Sequence, residues 1–122
     1  MTSGAVLAMA AGNGGTLCAA VDGVGAVCSD DDGKTWPRLG TGYTNKRATS
    51  ITVSRGNFYA GFMSNGAASG SGGGVFQSTD NGNTWAEIGT LSQQAPNVST
   101  LATSASGIVL AGTDGFGIFR LQ

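Results

Sequence analysis

Two eight-residue segments, Ser29-Asp30-Asp31-Asp32-Gly33-Lys34-Thr35-Trp36 and Ser78-Thr79-Asp80-Asn81-Gly82-Asn83-Thr84-Trp85, both read S-x-D-x-G-x-T-W and start 49 residues apart. A period of this size means a chain built from copies of one small unit, each too small to bury its apolar face alone. The correspondence extends upstream: Gly25-Ala26-Val27-Cys28 aligns with Gly74-Val75-Phe76-Gln77 and with Gly117-Ile118-Phe119-Arg120. One step earlier, Cys18 to Asp22, Tyr59 to Met63 and Leu110 to Asp114 correspond. Residues 1–122 therefore read as one domain of three units, about 5–40, 48–91 and 98–122. The third unit lacks the S-x-D-x-G-x-T-W segment and the strand that follows it.

Each unit predicts short strands. Apolar, β-branched and aromatic runs bounded by Gly, Asn, Asp and Ser place first strands at about 5–11, 49–54 and 98–104, and second strands at 16–21, 57–63 and 108–113. Third strands fall at 25–29, 74–78 and 117–121, and fourth strands at 35–39 and 84–88. The 22 glycines, spread without collagen spacing, exclude a helical protein, because glycine costs a helix interior roughly 1 kcal/mol relative to alanine. The class is all-β. The Ser/Gly/Ala-rich stretch from Ser64 to Gly73 reads as a loop inserted in the second unit.

The repeated segment has a mechanism as a turn. Asp31 and Asp80 offer carboxylates to nearby backbone N–H groups, and Gly33 and Gly82, two positions on, take φ > 0 at little cost. The hydroxyls of Ser29, Thr35, Ser78 and Thr84 are placed to pair with backbone groups freed by the bend. Trp36 and Trp85 each bring about 150–250 Å² of ring to cover the unit.

These segments resemble Asp-boxes, also called BNR repeats, found in sialidases, xyloglucan-degrading glycosidases, sortilin-type receptors and photosystem assembly factors. The resemblance implies a β-propeller in which the box joins strands three and four of a blade, on the face away from the active site. Ser29, Asp31, Gly33, Thr35 and Trp36, with Ser78, Asp80, Gly82, Thr84 and Trp85, are then structural fasteners. Propellers usually close with about four to eight blades. Three blades per chain imply a homodimer that closes a six-bladed ring head to tail, the alternative being a piece of a longer propeller. Met1 just before a strand favours the dimer.

Six basic and seven acidic residues, a net charge of −1, argue against a general nucleic-acid binder. No apolar run is long enough to span a bilayer as a helix. The apolar start has no basic residue before it, so it reads as a strand and not as a secretion signal, which favours the cytoplasm. The absence of histidine removes Ser-His and Cys-His nucleophile systems and the commonest zinc ligand. No cofactor and no metal is expected. Asp30-Asp31-Asp32 is a cation site on one reading, but the second copy keeps only Asp80, so Asp31 is read as holding a turn. Cys18 and Cys28, symmetric about Gly23 on adjacent strands, are read as free buried thiols in preference to a cross-strand disulfide.

A sialidase-like site needs clustered arginines, a tyrosine nucleophile and an acid. Arg38, Arg47, Arg55 and Arg120, Tyr43 and Tyr59, and the single Glu87 are not grouped by any spacing. The usual glycosidases need two carboxylates. Asp22 and Asp114, equivalent positions after strand two, are the available pair, but each also starts a Gly-containing turn. The loop face opposite the boxes carries Asp22, Tyr43, Asn45, Lys46, Arg47, Gln93, Gln94 and Asp114, whose donors, acceptors and aromatic surface suit a carbohydrate or a protein. The expectation is a non-enzymatic binding module. The alternatives are a sialidase-like glycoside hydrolase, either a fragment or an enzyme assembled by two chains, and a structural assembly factor.

Overall fold

Alternating runs bounded by turn residues become short antiparallel meanders in the computed structural model, which describes residues 4–43, 47–63, 73–88, 97–114 and 117–121. The first sheet is β1 (Ala5–Ala11), β2 (Leu17–Asp22), β3 (Gly25–Ser29) and β4 (Arg38–Leu39), paired in that order. The second repeats it with β5 (Ala48–Ser54), β6 (Asn57–Phe62), β7 (Gly74–Ser78) and β8 (Ala86–Glu87). The third has β9 (Val98–Thr103), β10 (Val109–Thr113) and β11 (Ile118–Leu121). The protein is all-β, and no helix occurs among the described residues.

The first three strands of each sheet lie within a residue of their expected bounds. The fourth strands are shorter than expected, two residues each. Thr35 and Thr84 are bound back into the preceding turn. Pro37 has no N–H for a ladder, and Trp85 donates its N–H to Thr41 O at 2.8 Å, outside the sheet.

The sheets stack face to face through their first strands, β1 against β5 and β5 against β9. Because side chains alternate along a strand, each sheet offers two distinct faces. Cys18, Ala20, Ala26 and Cys28 of sheet one meet Phe58, Ala60, Phe62, Phe76 and Trp85 of sheet two. Tyr59 and Val75, on the other face of sheet two, meet Val98, Val109 and Ala111 of sheet three. Thr49 Oγ1 donates to Val98 O at 2.5 Å near one end of this second interface, and Ser54 Oγ donates to Gly107 O at 2.6 Å at the other. All three sheets therefore run the same way, with their first strands side by side.

Cys18 and Cys28 form a disulfide, which corrects the expectation of free thiols. The register explains it: the β2–β3 hairpin places the two residues directly opposite each other, on the face buried against sheet two. Such bridges belong to oxidising compartments, at odds with the cytoplasmic setting expected from the start of the chain. Reduction is expected to destabilise the protein by about 2–3 kcal/mol, the chain-entropy value for so short a loop, because the bridge joins positions only 10 residues apart. Urea unfolding with and without a phosphine reductant measures the shift.

Candidate functional site

The two S-x-D-x-G-x-T-W turns close one end of their sheets with the same bonds. In the first, Ser29 Oγ donates to Asp31 Oδ1 at 2.7 Å and accepts from Gly33 N at 2.9 Å. Asp31 Oδ1 also accepts from Thr35 N at 2.9 Å, and Oδ2 accepts from Thr35 Oγ1 at 2.7 Å. In the second, Ser78 Oγ donates to Asp80 Oδ1 at 2.8 Å and accepts from Gly82 N at 2.8 Å. Thr84 N and Oγ1 donate to Asp80 Oδ1 and Oδ2 at 2.9 and 2.5 Å. Each indole N–H returns to the turn glycine, Trp36 to Gly33 O at 3.0 Å and Trp85 to Gly82 O at 3.1 Å. Both glycines have φ of 90°, a conformation that favours glycine.

These donors stabilise the ionised carboxylates. Asp31 is pushed down from 3.8 to about 2, mainly by the Thr35 backbone N–H and then by its hydroxyl. Asp80 is likewise pushed down to about 2, first by the Thr84 hydroxyl and then by its N–H. Asp30 is lowered chiefly by its hydrogen bonds from Arg38, which grips both its oxygens at 2.7 and 2.8 Å. Arg38 also donates to Asn83 Oδ1 at 2.7 Å and so ties the two turns together. Asp30 and Asp31 are thus occupied by protein donors, and no group of three or more His, Cys, Asp or Glu able to hold a metal occurs among the described residues.

The turns face different surroundings. Trp85 is buried between sheets one and two, its ring against Gly40, and Gly82 lies over the Cys18–Cys28 sulfurs. Thr41 N donates to Asn83 O at 3.1 Å, so the second turn is clasped to the segment that leaves β4. Trp36 packs on the cluster of Ala19, Val21 and Val27 in its own sheet.

At the opposite end, Asp22 closes β2 and Arg47 precedes β5. Arg47 Nε lies 3.3 Å from Asp22 Oδ1, a partly exposed pair that joins sheets one and two. Asp114, exposed after β10, donates its N–H to Asn97 O at 2.9 Å. Tyr43 turns inward: its ring stacks on Phe62 with centroids 5.1 Å apart. Its hydroxyl donates to Gly40 O at 2.6 Å and accepts from Ala26 N at 3.3 Å, and burial raises its pKa. Asn45, Lys46, Gln93 and Gln94 lie outside the described residues, as does most of the 64–73 loop. The arginines are dispersed: Arg38 sits at the turn end, Arg47 at the opposite end, Arg55 beside Ser106 O at 3.1 Å, and Arg120 on β11. Sequence reasoning missed the roles of Arg38 and Tyr43, which depend on contacts between units.

No protein-family model matches the chain, and no curated protein matches it. No helix among the described residues is long and apolar enough to cross a membrane.

Asp31 and Asp80 have folded-state pKa values below their unfolded ones. Their contribution is present above about pH 4 and is lost as pH falls towards 2. Asp80→Asn is expected to lower stability at pH 7 and to flatten the fall in stability between pH 4 and 2, as read by denaturant midpoints at each pH. Alanine at Gly33 or Gly82 incurs the left-handed backbone cost of about 1–2 kcal/mol. At Gly82 the new Cβ also collides with the buried sulfurs, whereas at Gly33 the nearest atom is Leu17 Cδ1 at 3.3 Å. Thermal melts are expected to show Gly82→Ala the more damaging by a further 1–3 kcal/mol or so.

Proposed function

We propose that the chain is a non-enzymatic Asp-box β-propeller module of three blades. It closes a six-bladed ring as a homodimer and binds a carbohydrate or protein partner on the face opposite the boxes. The observation that carries this reading is the division of labour between the two ends of the sheets. At one end the conserved spacing of Ser, Asp, Gly, Thr and Trp within the chain's own repeat is consumed by closed turns. At the other, the partly exposed Asp22–Arg47 pair and the exposed Asp114 offer polar groups at sheet ends. Arg47 and the acceptors beside it suit the hydroxyls of a sugar or the backbone and carboxylates of a peptide.

The chemistry weighs against turnover. Two-carboxylate glycoside hydrolysis uses a carboxylic acid held protonated by a raised pKa. The carboxyls of Asp30, Asp31 and Asp80 are all displaced the other way, downwards. Asp22 is paired with Arg47 across sheets one and two, an arrangement suited to binding.

An immobilised oligosaccharide panel, read with the labelled chain, tests the reading. Saturable binding weakened at least tenfold by Arg47→Ala, with no release of fluorophore from umbelliferyl glycosides, is the expected result. Glycoside turnover that is lost in Asp22→Asn or Asp114→Asn, with folding retained, would make the protein a hydrolase. Absence of saturable binding to the panel and to peptide ligands would make it a structural assembly factor.

A further inference from the structure

The interface between sheets is directional and is made twice within the chain, and each end sheet keeps one half of it unmatched. The cross-strand pairs Cys18/Cys28, Tyr59/Gln77 and Leu110/Arg120 occupy the same register position in the three sheets. The first pair faces sheet two and Tyr59 faces sheet three, so Leu110 and Arg120 mark the outer face of sheet three. Ile118 pairs with Gly112 on that face and is 78% exposed. At the other end, Trp36 stands on sheet one where Trp85 stands on sheet two, beside Ala19, Val21 and Val27. Opposite these three in register are Met9, Val6 and Leu39, which are 55%, 45% and 52% exposed. The exposed large hydrophobic residues thus gather mainly on the two end faces.

We infer that these faces meet: the outer face of sheet one, with Trp36, Met9 and Leu39, docks on the outer face of sheet three, with Leu110, Ile118 and Arg120, of a second copy of this chain. The inference rests on the ring proposed above and supplies its contact residues. Continuity with the existing interfaces selects a second copy over an unrelated partner, because each free face is the continuation of a stack whose opposite half the same chain carries. The second turn lies over Cys18 and Cys28, so by the same stacking the first turn lies over Leu110 and Arg120. That brings Asp32, exposed in the first turn, beside Arg120, and neither has an ion-pair partner among the described residues. Charge complementarity therefore accompanies the apolar match. A head-to-tail contact used twice closes on itself in a two-fold pair and leaves no free face.

Sedimentation equilibrium of the full chain and of two variants, one for each face, tests this. Met9→Lys and Ile118→Lys alter side chains that are exposed in the single chain, and far-UV circular dichroism checks their folding. Leu39→Lys replaces Met9→Lys should that variant unfold. The unaltered chain is expected to have twice the mass of the 12.0 kDa chain. Each variant alone is expected to dissociate at least tenfold more readily. An equimolar mixture of the two is expected to associate more tightly than either, because it regains one native contact. A monomeric unaltered chain at 100 µM or so, a dimer that survives either substitution, or a mixture no tighter than its components would overturn the inference. A monomer that still binds the oligosaccharide panel sinks the ring and its face pairing but not the binding function, a dimer that survives either substitution sinks the face pairing alone, and a head-to-tail dimer that binds nothing sinks the binding function alone.

Discussion

Packing between sheets one and two depends on one charged contact, the carboxylate of Asp80 held by Ser78 and Thr84. These bonds fix the turn, the turn holds Gly82 in a left-handed conformation, and Gly82 O fixes the indole of Trp85. The ring then fills the space between Gly40 and the Phe-rich face of its own sheet. The polar and apolar parts of the segment are one device, because the hydrogen bonds preorganise the aromatic group that seals the interface. Asp31 organises Trp36 in the same way, yet among the described residues that ring packs on its own sheet and not between two sheets. Identical local chemistry at the two turns therefore has different consequences, set by what stacks against each.

Strands and turns were legible because they are local. The spacing of Asp31 from Gly33 and of Asp80 from Gly82 dictates a turn whatever surrounds it, and the apolar runs mark the strands to within a residue. The shortness of β4 and β8 was not legible: it arises because Thr35, Thr84 and Trp85 spend their backbone groups elsewhere. The symmetry of Cys18 and Cys28 about Gly23 put them opposite each other, but a free pair of thiols and a bridge share that register, so spacing alone did not separate them.

Contacts between units were the least legible. Tyr43 belongs by sequence to a polar connection, yet its ring reaches Phe62 and its hydroxyl lies between Ala26 N–H and Gly40 C=O. Nothing in the local spacing marks it as inward. Arg38 likewise looked like one member of a scattered set of arginines, and only the stacking of sheet one on sheet two puts Asn83 within its reach. At the opposite end, Asp22 was paired in the sequence with Asp114 by repeat position, whereas the fold gives it Arg47 as a partner. A carboxylate engaged by a guanidinium is suited to recognition, which accords with the binding role proposed above.

On the proposed ring the single chain is an unfinished stack, with Trp85 inside an interface and Trp36 waiting for one. Iodide quenching of fluorescence in the single-tryptophan variants Trp36→Phe and Trp85→Phe, followed over a dilution series, measures this directly. The indole of Trp85 should stay shielded at every concentration, while that of Trp36 should be shielded in the concentrated protein and become quenchable on dilution. Quenching of Trp36 that does not change with concentration would contradict the account.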